Sequence, residues 1–134
     1  MASSERAQIR AIVQGIERCT EKAVAKITLD VTANLVEMTP VDTGWARNNW
    51  VPSIGVPREE SAGSPDNVAA AFAGQEAGKA EVAGYRLEQG KVFVSNNVPY
   101  IQTLNNGHSK QAPAGFVQRA ARKAVTEDIR GFRC

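Results

Sequence analysis

Apolar side chains return every three or four positions at Ile9, Ile12, Val13, Ile16, Cys19, Ala23, Ile27, Val31, Leu35 and Met38. That period belongs to one long amphipathic helix and predicts helix over about 4–38. Ser3 or Ser4 can cap its start, and Pro40 ends it by removing a backbone donor and restricting Thr39. Gly15 is the one weak position inside. At 1.5 Å per residue the helix is roughly 50 Å long, whereas a compact chain of 134 residues spans about 36 Å. Either the helix bends, with Gly15 as the natural place, or a second subunit completes its apolar stripe.

Beyond the helix, "TPVDTGWARNNWVPSIG" carries turn chemistry at Asp42, Thr43 and Gly44, then an extended stretch over 45–54 interrupted by Pro52. Proline confines that stretch to a sheet edge or a bulge. Residues 57–65 have loop composition without periodicity and are expected to be mobile. The alanine-rich segment after Asp66, a candidate cap, predicts a short helix over roughly 67–80, despite a cost of about 1 kcal/mol each at Gly74 and Gly78. "KVFVSN" is the best strand in the chain and is expected to pair with the segment around Trp50.

A last helix over about 115–130 places Val117, Ala120, Ala121, Ala124, Val125 and Ile129 on one side and Arg119, Arg122, Lys123 and Arg130 on the other. Asp128 falls on the apolar side and should fray the end. The expected fold is α+β: one domain over 1–134, with a long N-terminal helix, a small antiparallel sheet, and a short middle helix and a C-terminal helix packed on it.

Composition sharpens this picture. Hydrophobic residues make up 43% but aromatics only 6%, so the core is to be built from Ala, Val, Ile and Leu. A formal charge of +2, from 16 basic and 14 acidic residues, is too small to draw the whole chain onto nucleic acid or a membrane. The start "MASSERAQIR" has no apolar leader, and no run approaches the roughly 18 apolar residues that span a bilayer. A soluble protein, made in the cytoplasm, is expected. Cys19 and Cys134 have neither CxxC spacing nor a dense disulfide pattern, which points to reduced thiols.

The sole histidine, His108, adjoins Ser109 and Lys110 in "TLNNGHSKQAPAGF". Three consecutive side chains cannot fold back into nucleophile, base and orienter, and neither a G-x-S-x-G elbow nor an SxxK motif frames the serine. One histidine and two distant cysteines cannot supply the ligands zinc requires, and no P-loop or G-x-G-x-x-G follows a strand. No catalytic residue, metal or cofactor is therefore assigned. The ridge Arg119, Arg122, Lys123 and Arg130 could neutralise about four phosphates, but no aromatics interleave with it, and a solvated face is the plainer reading. Elsewhere the polar motifs are turn formers: Asp42 and Gly44, Asn96 and Asn97, Asn106 and Gly107, with Pro99 and Pro113 as rigid punctuation.

Three stretches in order, "TPVDTGWARNNW" (39–50), "VFVSNNVPYIQTLNNGHSKQAPAGFV" (92–117) and the alanine-rich helix that follows, resemble the neck or tail-completion proteins of tailed bacteriophages, minor tail components that join head to tail. The resemblance implies that Asp42 and Gly44 form the turn from long helix to first strand, followed by Arg47 at a basic position. Asn97 and Tyr100 follow the central strand. The "NxGxSxQAPxGF" loop falls on Asn106 to Phe116, so Gly107, Ser109, Gln111, Pro113 and Phe116 shape a loop and seat the last helix rather than catalyse. Phe116 and Tyr100 are then expected to close the core against Trp50 and Val94.

By the same resemblance the chain is a virion protein, made in the host cytoplasm and placed at the head-tail junction or tail end. It would form a homo-oligomeric ring around the tail axis, against terminator, connector or tail-tube proteins, with no membrane and no specific nucleic acid as partner. The nearest alternative is the tail terminator itself. From another class, a small nucleic-acid binder would use Arg119, Arg122, Lys123 and Arg130.

Overall fold

The structure, a computed structural model, describes residues 2–134. Its first element, α1 (Ala2–Met38), runs without interruption through Gly15 and stops before Pro40. At the end of α1 the freed carbonyls of Glu37 and Thr39 are met by Arg47, whose Nη2 donates to each at 3.4 Å. The expected turn follows, with Gly44 at φ 90°, a conformation that needs no Cβ.

The expected extended stretch is shorter than 45–54. Arg47–Asn49 form a 3-10 turn, and only β1 (Val51–Ile54) is extended. Asn48 and Asn49 each bond back four residues, to the carbonyls of Gly44 and Trp45 at 2.8 Å, and so hold the turn closed. β1 pairs antiparallel with β2 (Val92–Ser95), in the register Val51 with Ser95 and Pro52 with Val94. With two strands both are edges, which is how Pro52 is accommodated.

The middle helix, α2 (Val68–Ala83), begins without a side-chain cap. Asp66 does not cap it; Ser64 and Asn67 instead exchange backbone hydrogen bonds across the turn that Asp66 occupies. Gly78 is explained by packing, since a Cβ there would collide with the Pro52 carbonyl oxygen and press on Val51. The glycine cost to the helix thus permits α2 to lie close on β1. Gln75, buried on the same face, donates to the carbonyls of Trp50 (3.0 Å) and Arg47 (3.2 Å).

After β2 a short helix not foreseen from the sequence, α3 (Ile101–Asn105), leads into the loop before α4 (Phe116–Lys123). The last helix does not fray at Asp128. It widens instead into a π-helical turn, Ala124–Asp128, that aims the Asp128 carboxylate at Lys123 Nζ (2.7 Å) and at Asn34 Nδ2 of α1 (2.7 Å). Asn34 also donates to the Ala120 carbonyl at 3.2 Å, so one buried amide joins α1 to α4.

The core gathers Leu35, Trp50, Ala112, Phe116 and Ala120, with Val31, Met38, Val94 and Leu104 around it. Phe116 takes the expected place against Trp50; Tyr100 does not. It is 39% exposed and packs outside the core. The cysteines also depart from expectation. The chain's end returns along α1 and joins Cys134 to Cys19 in a disulfide, with Cα atoms 5.3 Å apart.

A second face of α1 is buried that apolar periodicity did not reveal: Glu21, Ala25, Thr28 and Thr32. The threonine hydroxyls donate to carbonyls one turn back, at 2.7 and 2.8 Å, and can therefore leave water. N-terminal to Cys19 the helix is uncovered. Ile9, Ile12 and Ile16 are 62%, 63% and 62% exposed, so the first four or so turns stand clear of the rest of the chain.

Candidate functional site

The loop after α1 and the loop before α4 meet. Gln111 Oε1 accepts from the Val41 backbone N–H (2.7 Å), while its Nε2 donates to the Val41 carbonyl (2.8 Å). A side-chain amide thereby imitates a neighbouring strand and fixes two segments 70 residues apart. Between them lies a cleft of about 500 Å³, walled by Asp42, Trp45, Tyr100, Leu104, His108 and Lys110.

Its aromatic wall is Trp45 against Tyr100, with ring centroids 6.1 Å apart and planes inclined at 60°. Trp45 is fixed in turn by its Nε1–H, which donates to the Ala62 carbonyl at 2.8 Å. Ala62 also receives the Asn49 amide (3.2 Å) and donates to Asn49 Oδ1 (2.8 Å), so the 57–65 loop is attached beneath the tryptophan. Burial, and then the nearby Asp42 carboxylate, push the Tyr100 phenol above its ordinary value, so it stays a neutral hydrogen-bonding group at the rim.

The other wall is set by local hydrogen bonds. Ser109 Oγ accepts from the Gln111 N–H at 3.1 Å, a short serine turn. Gly107 takes φ 95°, and a Cβ there would press on Ala114. Asn105 anchors the far end: its carbonyl accepts from Gly115 N–H (2.7 Å) and its Oδ1 from Val117 N–H (3.0 Å), a remote cap for α4. Arg119 folds back onto the Ala114 carbonyl (2.6 Å) and the Pro113 carbonyl (3.3 Å). Phe116 then inserts into the core and seats the helix.

Asp42, Gly44, Tyr100, Ser109 and Gln111, taken from two distant stretches, thus line one cleft. Gly107, Pro113 and Phe116 build its supporting loop, and Arg47 closes the helix end behind it. Asn97 lies elsewhere, donating to the Arg58 carbonyl at 2.8 Å. The four basic residues do not act as one ridge: Arg119, though exposed, is turned onto the loop and Lys123 is paired with Asp128, while the side chains of Arg122 and Arg130 make no ion pair among the described residues.

No family model, curated protein or solved structure matches the chain. Ser109 Oγ is engaged by the Gln111 N–H, and no hydrogen bond links the side chains of His108, Ser109 and Lys110 among the described residues. No cluster of three or more His, Cys, Asp or Glu side chains that could hold a metal ion occurs there either. Nor, among the described residues, is any helix long and apolar enough to cross a membrane.

What the arrangement offers is a recess lined by two aromatic side chains, Trp45 and Tyr100, with one carboxylate, Asp42, and one ammonium, Lys110. Sequence reasoning missed two residues that build it. Asn105 stands in a run of turn formers that gave no reason to prefer it, and Asn49 gave no sign that it would clamp a loop 13 residues away.

Proposed function

We propose that this chain is a structural virion protein of a tailed bacteriophage, which completes the neck or tail and joins head to tail during assembly. One observation carries the reading: the two stretches that resemble neck and tail-completion proteins, 39–50 and 92–117, converge on a single docking cleft held by the Gln111 and Val41 hydrogen bonds. Residues drawn from both stretches there serve to shape backbone, as an assembly component requires. The exposed N-terminal turns of α1 are a second surface available for contact between copies or with neighbouring rings.

In this reading the protein acts by interface formation. Trp45 and Tyr100 supply rigid contact area at low entropic cost, and Asp42 and Lys110 select the charge of the incoming segment. Mass spectrometry of purified particles tests it. The protein is expected in joined virions; virions that lack it overturn the proposal.

A further inference from the structure

The uncovered part of α1 has a defined boundary. From Cys19 onward the helix is covered by its own chain, through Cys134 and the elements packed on its second half, whereas Ile9, Ile12, Val13 and Ile16 face solvent. A free helix of this length is marginal in water and takes most of its stability from covering its apolar face. The stripe therefore calls for an occupant, and the charges beside it indicate which one.

With successive residues 100° apart, Arg6, Arg10 and Glu17 fall within about 40° of one another, roughly 90° round from the centre of the stripe. The opposite flank carries Ser4, Gln8 and Gly15 and no charge. In an antiparallel pair of identical helices each flank meets its own copy. Centring the stripe on itself then sets Glu17 of one copy between Arg6 and Arg10 of the other, about 3 Å along the axis from each, and the dyad repeats the contact. In a parallel pair the charged flank would face Ser4, Gln8 and Gly15, and the one acid on that side, Glu5 at the N-terminal end of the stripe, would reach Arg6 alone. None of Arg6, Arg10 and Glu17 makes an ion pair within the described residues.

We infer that residues 5–17 form an antiparallel, two-fold interface with a second copy of this chain, sealed by Ile9, Ile12, Val13 and Ile16 and oriented by Glu17 against the partner's Arg6 and the partner's Arg10. The inference stands on the helix alone and does not depend on the virion reading. A contact of about four turns per copy belongs to the small, dissociable class, below ~1,200 Å² of buried surface. The free protein exchanges between monomer and dimer.

The test is sedimentation velocity of the full chain, from about 5 to about 200 µM, a range that spans a weak association. A concentration-dependent dimer is expected. Ile12→Glu should leave the fold intact, read by near-ultraviolet circular dichroism and melting temperature, and leave the chain monomeric. Glu17→Arg should weaken the dimer, and the triple variant Arg6→Glu, Arg10→Glu, Glu17→Arg should restore it by exchanging both sides of each pair. A monomeric wild type at the highest concentration overturns the proposal, as does a dimer indifferent to Ile12→Glu. A dimer lost in Ile12→Glu but unmoved by Glu17→Arg overturns the antiparallel arrangement.

Discussion

The Gln111 side chain and the Val41 backbone are joined by two hydrogen bonds, of 2.7 and 2.8 Å, that tie the loop after the first helix to the loop before the last. Both are solvent-exposed, so their net worth is that of ordinary hydrogen bonds and their main effect is to fix geometry. Replacing Gln111 by alanine is expected to cost about 1 kcal/mol of stability while the Val41 amide loses much of its hydrogen-exchange protection. Gln111→Glu keeps the acceptor and loses the donor, and should fall between the two. Unchanged exchange at Val41 in Gln111→Ala would contradict this account of the cleft.

Phe116 and Tyr100 are both aromatic and both lie near the cleft, yet one is buried and the other is 39% exposed. Phe116→Ala should cost about 3–5 kcal/mol through a cavity beside Trp50. Tyr100→Ala should stay within about 1 kcal/mol. Denaturant titration of the two variants separates them, and equal losses would mean that Tyr100 belongs to the core.

Asp128 is held below its ordinary range mainly by the hydrogen bonds from Lys123 and Asn34, and Lys123 is held above its own range by the same pairing. A depressed carboxylate stabilises the fold above its unfolded value of 3.8, and that contribution disappears as pH falls through the folded value beneath it. A raised ammonium contributes fully below 10.5 and ceases to do so as pH rises through its folded value. The stability difference between wild type and Asp128→Asn should therefore be constant across neutral pH and shrink at both extremes, more sharply on the acid side where Asn34 also takes part. Thermal melts from acid to alkaline pH read this; a difference independent of pH would rule it out.

The link between Cys19 and Cys134 closes a loop of 115 residues. On the chain-entropy account a loop near that size restricts the unfolded chain by about 4–5 kcal/mol, an upper value for a native bond. Reduction, or Cys134→Ser, is expected to lower the urea midpoint by several times the shift given by a surface substitution, and to release the segment after the π-helical turn to proteolysis. Identical midpoints with and without reductant would mean that the crosslink contributes nothing.

Much of the fold could be read from the chain because it rests on local rules. Periodicity gave the long helix and Pro40 gave its end; β-branched density gave the strand at 92–95, and Pro52 gave the edge. What escaped depended on partners remote in sequence. Thr28 and Thr32 count as polar in any pattern, but their hydroxyls are satisfied within the helix and so can be buried. Asp128 looked misplaced until Asn34, 94 residues away, supplied a donor and the helix widened to reach it. Cys19 and Cys134 gave no spacing signal, and Tyr100 was drawn outward by Trp45 rather than inward by Trp50. The cleft was half legible: its turn formers stood out, while Asn49 and Asn105, which hold it, looked like any other loop asparagines.

The central proposal is the joining role in a tailed bacteriophage. Electron microscopy of lysates from a phage that carries this gene, with the gene deleted, tests it most directly by counting joined particles against DNA-filled heads and finished tails lying apart. The account predicts filled heads and unattached tails, restored to joined particles when the intact gene is supplied in trans. Normal infectious particles from the deletion would contradict it.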